Sequence, residues 1–136
     1  VLLRQKVQQL ASEHLGPVRN GKSLEQALSS VEAIRREELP KLATRFKHRR
    51  YNREWLEALQ LSNMISVLEM VTRASLQRTE SRGAMYRQDF PDTNNDDWLK
   101  NVIIQQGSGG MELRTEPIVV TKLPPPAGKM KYPGEI

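Results

Sequence analysis

The sequence has no cysteine, few aromatic residues and no long apolar run. Without cysteine among its 136 residues, the chain can hold no disulfide, thiolate metal site or cysteine nucleophile. Aromatic residues make up only 5% of the chain and hydrophobic residues 38%, so the core must be aliphatic, which favours helix packing over a sheet sandwich. No apolar run approaches the roughly 20 residues that span a bilayer. Charged and polar residues follow Val1-Leu2-Leu3 at once, which is unlike a secretory signal. We therefore expect no direct membrane insertion.

The chain is basic, with a formal net charge of +5 and a pI of about 9.7. A basic surface can serve nucleic acid, anionic lipid or an acidic partner. The densest positive stretch is residues 41–53, which contains no acid. Its cations are Lys41, Arg45, Lys47, His48, Arg49, Arg50 and Arg53. One interpretation is a solvated connection between helices. The other is an anion or partner patch at Lys47, Arg49, Arg50 and Arg53. Nucleic acid is disfavoured, because only Tyr51 and Asn52 lie near to read or stack on bases.

Apolar spacing predicts three helices. The first covers residues 1–15 and ends at Gly16-Pro17, where the chain turns; because Val1 stands in mid-helix, we expect the chain to be part of a longer one. The second opens at Ser23 as N-cap, in a capping box with Gln26, and Pro40 predicts a kink or break near residues 36–40. The third, about residues 52–80, is apolar on more than one face, which predicts a central helix that the first two contact on one side and that the C-terminal segment or another domain contacts elsewhere.

The third helix is followed by an unusual string over residues 81–91. Gly83 permits a sharp reversal of the backbone, and Arg82, Arg87 and Asp89 can hold a loop through bidentate ion pairs. The acids Asp89, Asp92, Asp96 and Asp97 are interpreted as turn and N-cap residues that neutralise Arg82 and Arg87. We predict a fixed helix-to-loop corner, with a structural or interdomain role.

The remainder changes character. Two apolar runs flank Gly107-Ser108-Gly109-Gly110, which predicts a β-hairpin over residues 98–122. Pro117 would confine the second run to an edge or a bulge. Residues 123–136 are proline-rich and predict an extended tail without a regular element. The expected divisions are therefore 1–97, 98–122 and 123–136.

No complete active site is visible. The two histidines lie in different segments without a second ligand at zinc spacing, and neither a serine elbow nor a phosphate-binding loop occurs. The acids after the third helix lack the spacing of a calcium loop. We expect no catalytic residue, cofactor-binding residue or metal site here, and we expect the chain to be inactive by itself.

The string at the corner carries a resemblance. Residues 79–91, followed by Asp96-Asp97-Trp98-Leu99-Lys100, resemble the C-terminal region of succinate dehydrogenase and fumarate reductase flavoprotein subunits; L-aspartate oxidases share a similar string. The matching positions are Ser81, Arg82, Gly83, Ala84, Arg87, Asp89 and Pro91, while Met85 stands where the family usually has His. Residues 15–24 also look like a family segment. The resemblance covers nearly the whole chain up to the hairpin.

The resemblance implies a mainly α fold, a three-helix, spectrin-repeat-like bundle with a C-terminal β-hairpin and an extended Pro-rich tail. In the family this unit packs against an FAD-binding domain of the same polypeptide and a mobile capping domain. Those upstream domains carry the dinucleotide fingerprint, the FAD-linking His and the His and Arg residues that bind and protonate the dicarboxylate. FAD would therefore belong to the parent protein and not to this chain.

Two functions from different classes follow. The first is a structural C-terminal domain that braces the FAD domain and an iron–sulfur partner subunit, while upstream domains transfer hydride between succinate or fumarate and flavin. The expected location is cytoplasmic, at the membrane face through partner subunits, and the isolated chain would self-associate through surface that the FAD domain covers. The alternative is an independent helical module that binds an acidic partner or nucleic acid through residues 41–53.

Overall fold

The computed structural model describes residues 2–48 and 50–133. The helices are α1 (Leu2–His14), α2 (Gly21–Ala33), α3 (Arg53–Gln77) and α4 (Asn95–Trp98). The strands are β1 (Val18–Arg19), β2 (Tyr86–Arg87), β3 (Asp92–Asn94), β4 (Lys100–Gly107), β5 (Gly110–Pro117) and β6 (Lys129–Lys131). A mainly α fold with a few short strands is thereby confirmed.

The core lies between α1, α2 and α3. Its buried members are aliphatic, as the shortage of aromatic residues predicts: Val7, Val31, Ile34, Leu61, Ile65 and Leu68. In α3 they recur at spacings of four and three residues, and in α1 the partly buried Leu3 and Leu10 extend the stripe of Val7 at the same spacings, so these helices turn one apolar stripe towards the core. At roughly 1.5–3 kcal/mol for each fully buried aliphatic side chain, this cluster is the main apolar contribution to the stability of the helical part.

The predicted break near residues 36–40 is confirmed. After α2 the chain continues as a π-helical turn (Ile34–Glu38) and a 3₁₀ turn (Leu39–Lys41) that contains Pro40. A π turn inserts an extra residue into the helical register. Here it accompanies an ion pair between Arg35 Nε and Glu69 Oε2 of α3, 3.0 Å apart. The break thus lies where α2 is fastened to α3.

Two helix boundaries differ from the prediction. The N-cap of α2 is Asn20, whose side chain accepts a hydrogen bond from the Ser23 backbone amide; the prediction of Ser23 as N-cap is wrong, because Asn at this position caps as well as Ser and the helix already begins at Gly21. The third helix ends at Gln77 rather than Glu80, because Arg78 adopts an extended backbone.

One side of α3 is left open by the described residues. Trp55, Leu56 and Leu59 are about half exposed. Further along, a groove of about 900 Å³ runs between α1 and α3. Its floor is apolar and includes Val7, Ala11, Met64, Val67 and Val71. Val67 is 53% exposed and Val71 is 38% exposed, so the described residues leave this face uncovered.

The strands that follow β2 form two antiparallel pairs. β4 and β5 form an antiparallel hairpin with Gly107 opposite Gly110, and Pro117 is the last residue of β5. Ile118, Val119 and Val120, expected within the second strand, lie beyond it. Residues 129–131, where no regular element was expected, form β6, which pairs antiparallel with β3. The expectation failed there because a three-residue strand is specified by its partner and has no periodic signal of its own.

Candidate functional site

The side chains of Arg87 and Asp89 form the centre of the corner that follows α3. Arg87 is almost fully buried. Its Nε and one terminal nitrogen donate to the two oxygens of Asp89 at 2.7 and 2.6 Å, a bidentate pair. The remaining guanidinium nitrogen donates to the carbonyls of Ser75 and Arg78 at the end of α3. A cation at a helix C-terminus satisfies free carbonyls and the negative end of the dipole.

The carboxylate of Asp89 contacts a helix N-terminus. One of its oxygens accepts the backbone amide of Gly21 at 3.0 Å, at the first residue of α2. An anion is favoured at a helix N-terminus for the same electrostatic reason. The Arg87–Asp89 pair therefore joins the end of α3 to the beginning of α2, and both charges are placed where the helix dipoles favour them.

The segment between α1 and α2 is bound to the same corner. β1 pairs in parallel with β2, with Val18 opposite Tyr86 and Arg19 opposite Arg87. Arg19 donates to the carbonyls of Gly16 and Leu15, and to the Ser75 hydroxyl at 2.6 Å. The two sequence segments that carry the resemblance, residues 15–24 and 79–91, thus meet here, and the ends of all three long helices converge.

A second ion cluster is centred on Glu80, whose side chain is fully buried. Arg82 donates to both carboxylate oxygens, from Nε at 2.7 Å and from a terminal nitrogen at 3.1 Å. Arg78 donates to one of them, and the backbone amide of Asn94 donates to the other at 2.8 Å. Arg78 also donates to the carbonyls of Trp98 and Lys100, so Glu80 indirectly fixes the start of the hairpin.

The pKa shifts of the two acids agree with these contacts. Burial alone raises the pKa of Glu80, but the hydrogen bonds from Arg82, the Asn94 amide and Arg78 outweigh it and hold that pKa below its ordinary value. The bidentate hydrogen bonds from Arg87 are the main cause that lowers the pKa of Asp89, and the Gly21 amide adds to it. Both acids are thus stabilised as carboxylates.

Gly83 makes the reversal that the sequence predicts. It has a φ of +61°, and the backbones of Arg82 and Met85 on either side exchange two hydrogen bonds of 2.9 and 3.1 Å. A two-residue turn with positive φ at its first central residue favours glycine there. The tail crosses this turn, since the hydroxyl of Tyr132 donates to the Gly83 carbonyl. Asn95 binds both Arg82 and the carbonyl of Pro126.

The acids after the third helix act only in part as expected. Asp89 neutralises Arg87, but Arg82 is neutralised by Glu80 and contacts Asn95. Asp97 closes a reciprocal bond with Asn94, the N-cap of α4. Asp96 accepts the backbone amide of Gly128 in the tail.

The predicted patch residues that the structure describes, Lys47, Arg50 and Arg53, are exposed, but one of them is paired. Arg53 pairs with Glu57 one helical turn on. The side chains of Lys47 and Arg50 are exposed, and neither has an ion pair within the described part of the chain. Arg49 lies outside the described residues.

Elsewhere the described residues offer little for direct chemistry. Within 2–48 and 50–133, no three His, Asp or Glu side chains are grouped to hold a metal ion. No helix in those ranges is both long and apolar enough to cross a membrane. His14 contacts the Ser23 hydroxyl at 2.7 Å, and His48 donates to the Arg50 carbonyl. What the corner can do chemically is hold a fixed arrangement of paired charges.

The sequence pattern includes Arg78 and Glu80 among the charges of this string, but Arg82, Gly83, Arg87 and Asp89 alone were predicted as the corner residues. A signal was present: in extended chain, residues 78, 80 and 82 lie on one face, so an acid between two arginines at that spacing is a cluster. Asn94 and Arg19 had no comparable signal, because their contacts with the corner depend on the tertiary fold.

The fold is shared with part of a known protein. A solved structure of the FrdA chain of E. coli quinol fumarate reductase superposes with a TM-score of 0.81 over 87% of this chain and 20% of that chain, at 20% sequence identity. This likeness shows a common fold over the matched residues.

The sequence comparisons define the family. The family described as "Fumarate reductase flavoprotein C-term" matches residues 4–132, and the chain belongs to this family. It is 34% identical to one of the subunits of the CoM/CoB fumarate reductase of Methanothermobacter marburgensis over 65% of the chain and 16% of the relative. It is 32% identical to the succinate dehydrogenase flavoprotein subunit of Coxiella burnetii over 75% of the chain and 17% of the relative. The chain spans about one sixth of the length of these relatives.

Proposed function

We propose that the chain is the structural C-terminal domain of an FAD-dependent succinate dehydrogenase or fumarate reductase flavoprotein. Domains upstream of it would bind FAD and interconvert succinate and fumarate by hydride transfer. This domain would brace the FAD domain and present surface to a partner subunit, with an iron–sulfur subunit the expected partner. The parent protein would act in the cytoplasm, at the membrane face through its partners. Within the chain, a three-helix, spectrin-repeat-like unit, a hairpin and an extended tail would divide near residues 97 and 122.

The observation that carries the proposal is the uncovered groove between α1 and α3. The groove has a volume of about 900 Å³ and an apolar floor in which Val67 and Val71 are partly exposed, and apolar side chains exposed together in a groove are typical of an interaction site. The chain matches the family but spans only a small share of each relative. We therefore infer that the remainder of the same polypeptide occupies the groove. When that remainder is missing, the groove should drive self-association of the isolated chain.

The corner supports the proposal in a second way. A structural domain can hold its neighbouring domains in place only if its own helices are fixed relative to one another. The Arg87–Asp89 pair connects the end of α3 to the beginning of α2, and Arg19 connects the end of α1 to α3. The Glu80 cluster fixes the segment that follows α3. These are charge-assisted hydrogen bonds, which are stronger than neutral ones. The resulting unit can hold the groove in one shape while upstream domains move.

The test uses the full-length protein that contains this chain and the double substitution Val67→Asp/Val71→Asp. Both side chains are partly exposed here, so the isolated chain should keep its helical circular dichroism. In the full-length protein two carboxylates would be buried without partners, which should weaken domain docking by at least about 3 kcal/mol. We expect weaker domain docking, observed as loss of bound flavin on gel filtration and a lower temperature of flavin release.

Val119→Asp is the matched control, because Val119 is 87% exposed and lies outside the groove. It should retain flavin as the unaltered protein does. Full flavin retention by the groove variant, or an equal loss from the Val119 variant, would contradict the proposal. Tight RNA binding by the isolated chain at moderate salt would favour the alternative of an independent module, because binding driven by phosphates weakens steeply as salt rises.

A further inference from the structure

The loop between the 3₁₀ turn and α3 carries the basic patch, and its described residues, 42–48 and 50–52, are held by internal hydrogen bonds. Asn52 is almost completely buried. Its side-chain amide donates to the carbonyls of Phe46 and His48 at 2.7 and 2.8 Å, and its oxygen accepts the amide of Trp55. One residue thus caps α3 and closes the loop at the same time.

The loop holds Tyr51 in a conformation that a bulky residue rarely adopts. Tyr51 has a φ of +52°, the only positive value for a residue other than glycine in the described ranges. Its side chain is fully exposed, so no buried contact of the ring compensates for the strained backbone. The bonds around it, from His48 to the Arg50 carbonyl and from the Arg53 amide to the Tyr51 carbonyl, hold the chain in that shape. Strain of this kind collects at functional sites.

Two cations that form no ion pair with the described residues precede the exposed ring. They are Lys47 and Arg50, and Phe46 in the same loop is 58% exposed. Tyrosine, arginine and tryptophan are the residues that dominate the energy of protein interfaces. A guanidinium also binds a carboxylate in bidentate fashion. The loop therefore has the composition of an interface hot spot with a positive charge.

The acids at the start of α3 distinguish between kinds of partner. Glu54 accepts the backbone amide of Arg45, and Glu57 pairs with Arg53. Both carboxylates stand beside the patch, where a uniformly negative lipid or RNA surface would repel them. A polypeptide, whose carboxylates are interrupted by uncharged residues, can place acids opposite Lys47 and Arg50 and leave these two positions uncharged.

We propose that the described residues of this loop, 42–48 and 50–52, form a docking element for an acidic protein surface, with Tyr51 as its aromatic anchor and Lys47 and Arg50 as its charged contacts. The inference rests on the proposed function only in taking the owner of that surface to be the partner subunit. It assigns the basic patch to subunit contact, whereas the groove between α1 and α3 serves contact within the polypeptide.

The experiment measures binding of the full chain to a copolymer of glutamate and tyrosine (4:1) at low salt, with phosphatidylglycerol vesicles and poly(U) as competing probes. We expect the copolymer to bind more tightly than either competitor at equal salt. Lys47→Glu/Arg50→Glu should weaken binding by about tenfold, since reversed charges at an interface repel the acidic partner. Lys22→Glu/Lys122→Glu, which makes the same change of net charge elsewhere, should weaken it by less than about twofold, the screened long-range part.

Tyr51→Gly tests the anchor. Glycine relieves the positive φ, so the melting temperature should rise while copolymer affinity falls by about threefold or more, as expected for removal of an interface tyrosine. Stronger binding to vesicles or RNA, equal losses in the two charge variants, or unchanged affinity after Tyr51→Gly would each overturn the proposal. Because this assay needs no flavin, its failure leaves the flavin-retention test of the proposed function unaffected.

Discussion

Glu80 is an acid without solvent contact, surrounded by two arginines and a backbone amide. Glu80→Gln removes the charge but keeps the shape and one acceptor, so that Arg78 and Arg82 lose their common counter-ion. Breaking a buried pair from one side costs about 3–5 kcal/mol; Arg82 is about one third exposed and can regain some solvation, so we expect a loss near the lower end, about 3 kcal/mol. Urea unfolding at pH 7, monitored by circular dichroism, measures it.

Glu25→Gln is the matched control, since Glu25 is exposed on α2. It should change the free energy of unfolding by less than about 0.5 kcal/mol, as surface substitutions usually do. Equal stabilities for the Glu80 and Glu25 variants would show that the buried cluster contributes nothing beyond a neutral hydrogen bond.

The same carboxylates determine the acid sensitivity of the fold. The pKa values of Glu80 and Asp89 are lowered in the folded chain, so the unfolded state takes up these protons at a higher pH than the folded state. Their stabilisation is therefore complete above the ordinary carboxyl pKa, about 4, and is lost as pH falls through the lower folded values. We expect constant stability from pH 7 to about 5 and a fall below about pH 4. The fall should be shallower in Glu80→Gln, and an identical acid limb in both proteins would contradict this explanation.

At the scale of secondary-structure elements, the beginning of α2 shows how tightly the corner is assembled. A methyl group added at Gly21 would lie 2.9 Å from an Asp89 oxygen and 3.5 Å from an Arg87 nitrogen. Gly→Ala in a helix otherwise stabilises by up to about 1 kcal/mol. Overpacking costs about 1–3 kcal/mol, and the bidentate pair leaves Asp89 little room to move. We expect Gly21→Ala to lower the free energy of unfolding by about 1 kcal/mol.

Gly109→Ala supplies the comparison, because nothing lies within 4 Å of a Cβ at that position. Its melting temperature should match that of the unaltered chain, while the Gly21 variant melts several degrees lower, as expected for about 1 kcal/mol. A Gly21 variant that is more stable than the unaltered chain would mean that Asp89 is free to move aside.

Sequence patterns predicted elements well where the signal is local. The aliphatic periodicity located three long helices, and Pro40 predicted the break after α2. The pairing of β1 with β2 could not be predicted, because each strand has two residues and an alternating pattern of apolar and polar residues is recognisable only over several. The same reason hid β6. The sequence identified Arg82, Gly83, Arg87 and Asp89 as a fixed corner through an unusual string, but the partner of Asp89, the Gly21 amide, is 68 positions away.

At the scale of the whole molecule, the chain separates its contacts by chemistry. The groove between α1 and α3 is apolar, the described residues of the loop, 42–48 and 50–52, are cationic and aromatic, and each acid of the corner, Glu80 and Asp89, is paired with at least one arginine. Part of the formal charge of +5 therefore lies outside the corner, on exposed surface. Composition alone could report the excess of cations, but only the fold shows that, among the described residues, Arg53 is compensated by an acid whereas Lys47 and Arg50 are not.

The contact between Asp89 and Gly21 joins residues that are far apart in the sequence, and this separation affects how the molecule folds. Contacts between residues 68 positions apart require closure of a long loop, whereas helices form from neighbours within about a microsecond. The corner should therefore form after the transition state. Substitutions at Gly21 or Asp89 should leave the folding rate nearly unchanged and accelerate unfolding, with φ-values near zero. The corner then forms late in folding, and its contacts determine the unfolding rate and therefore the lifetime of the native domain.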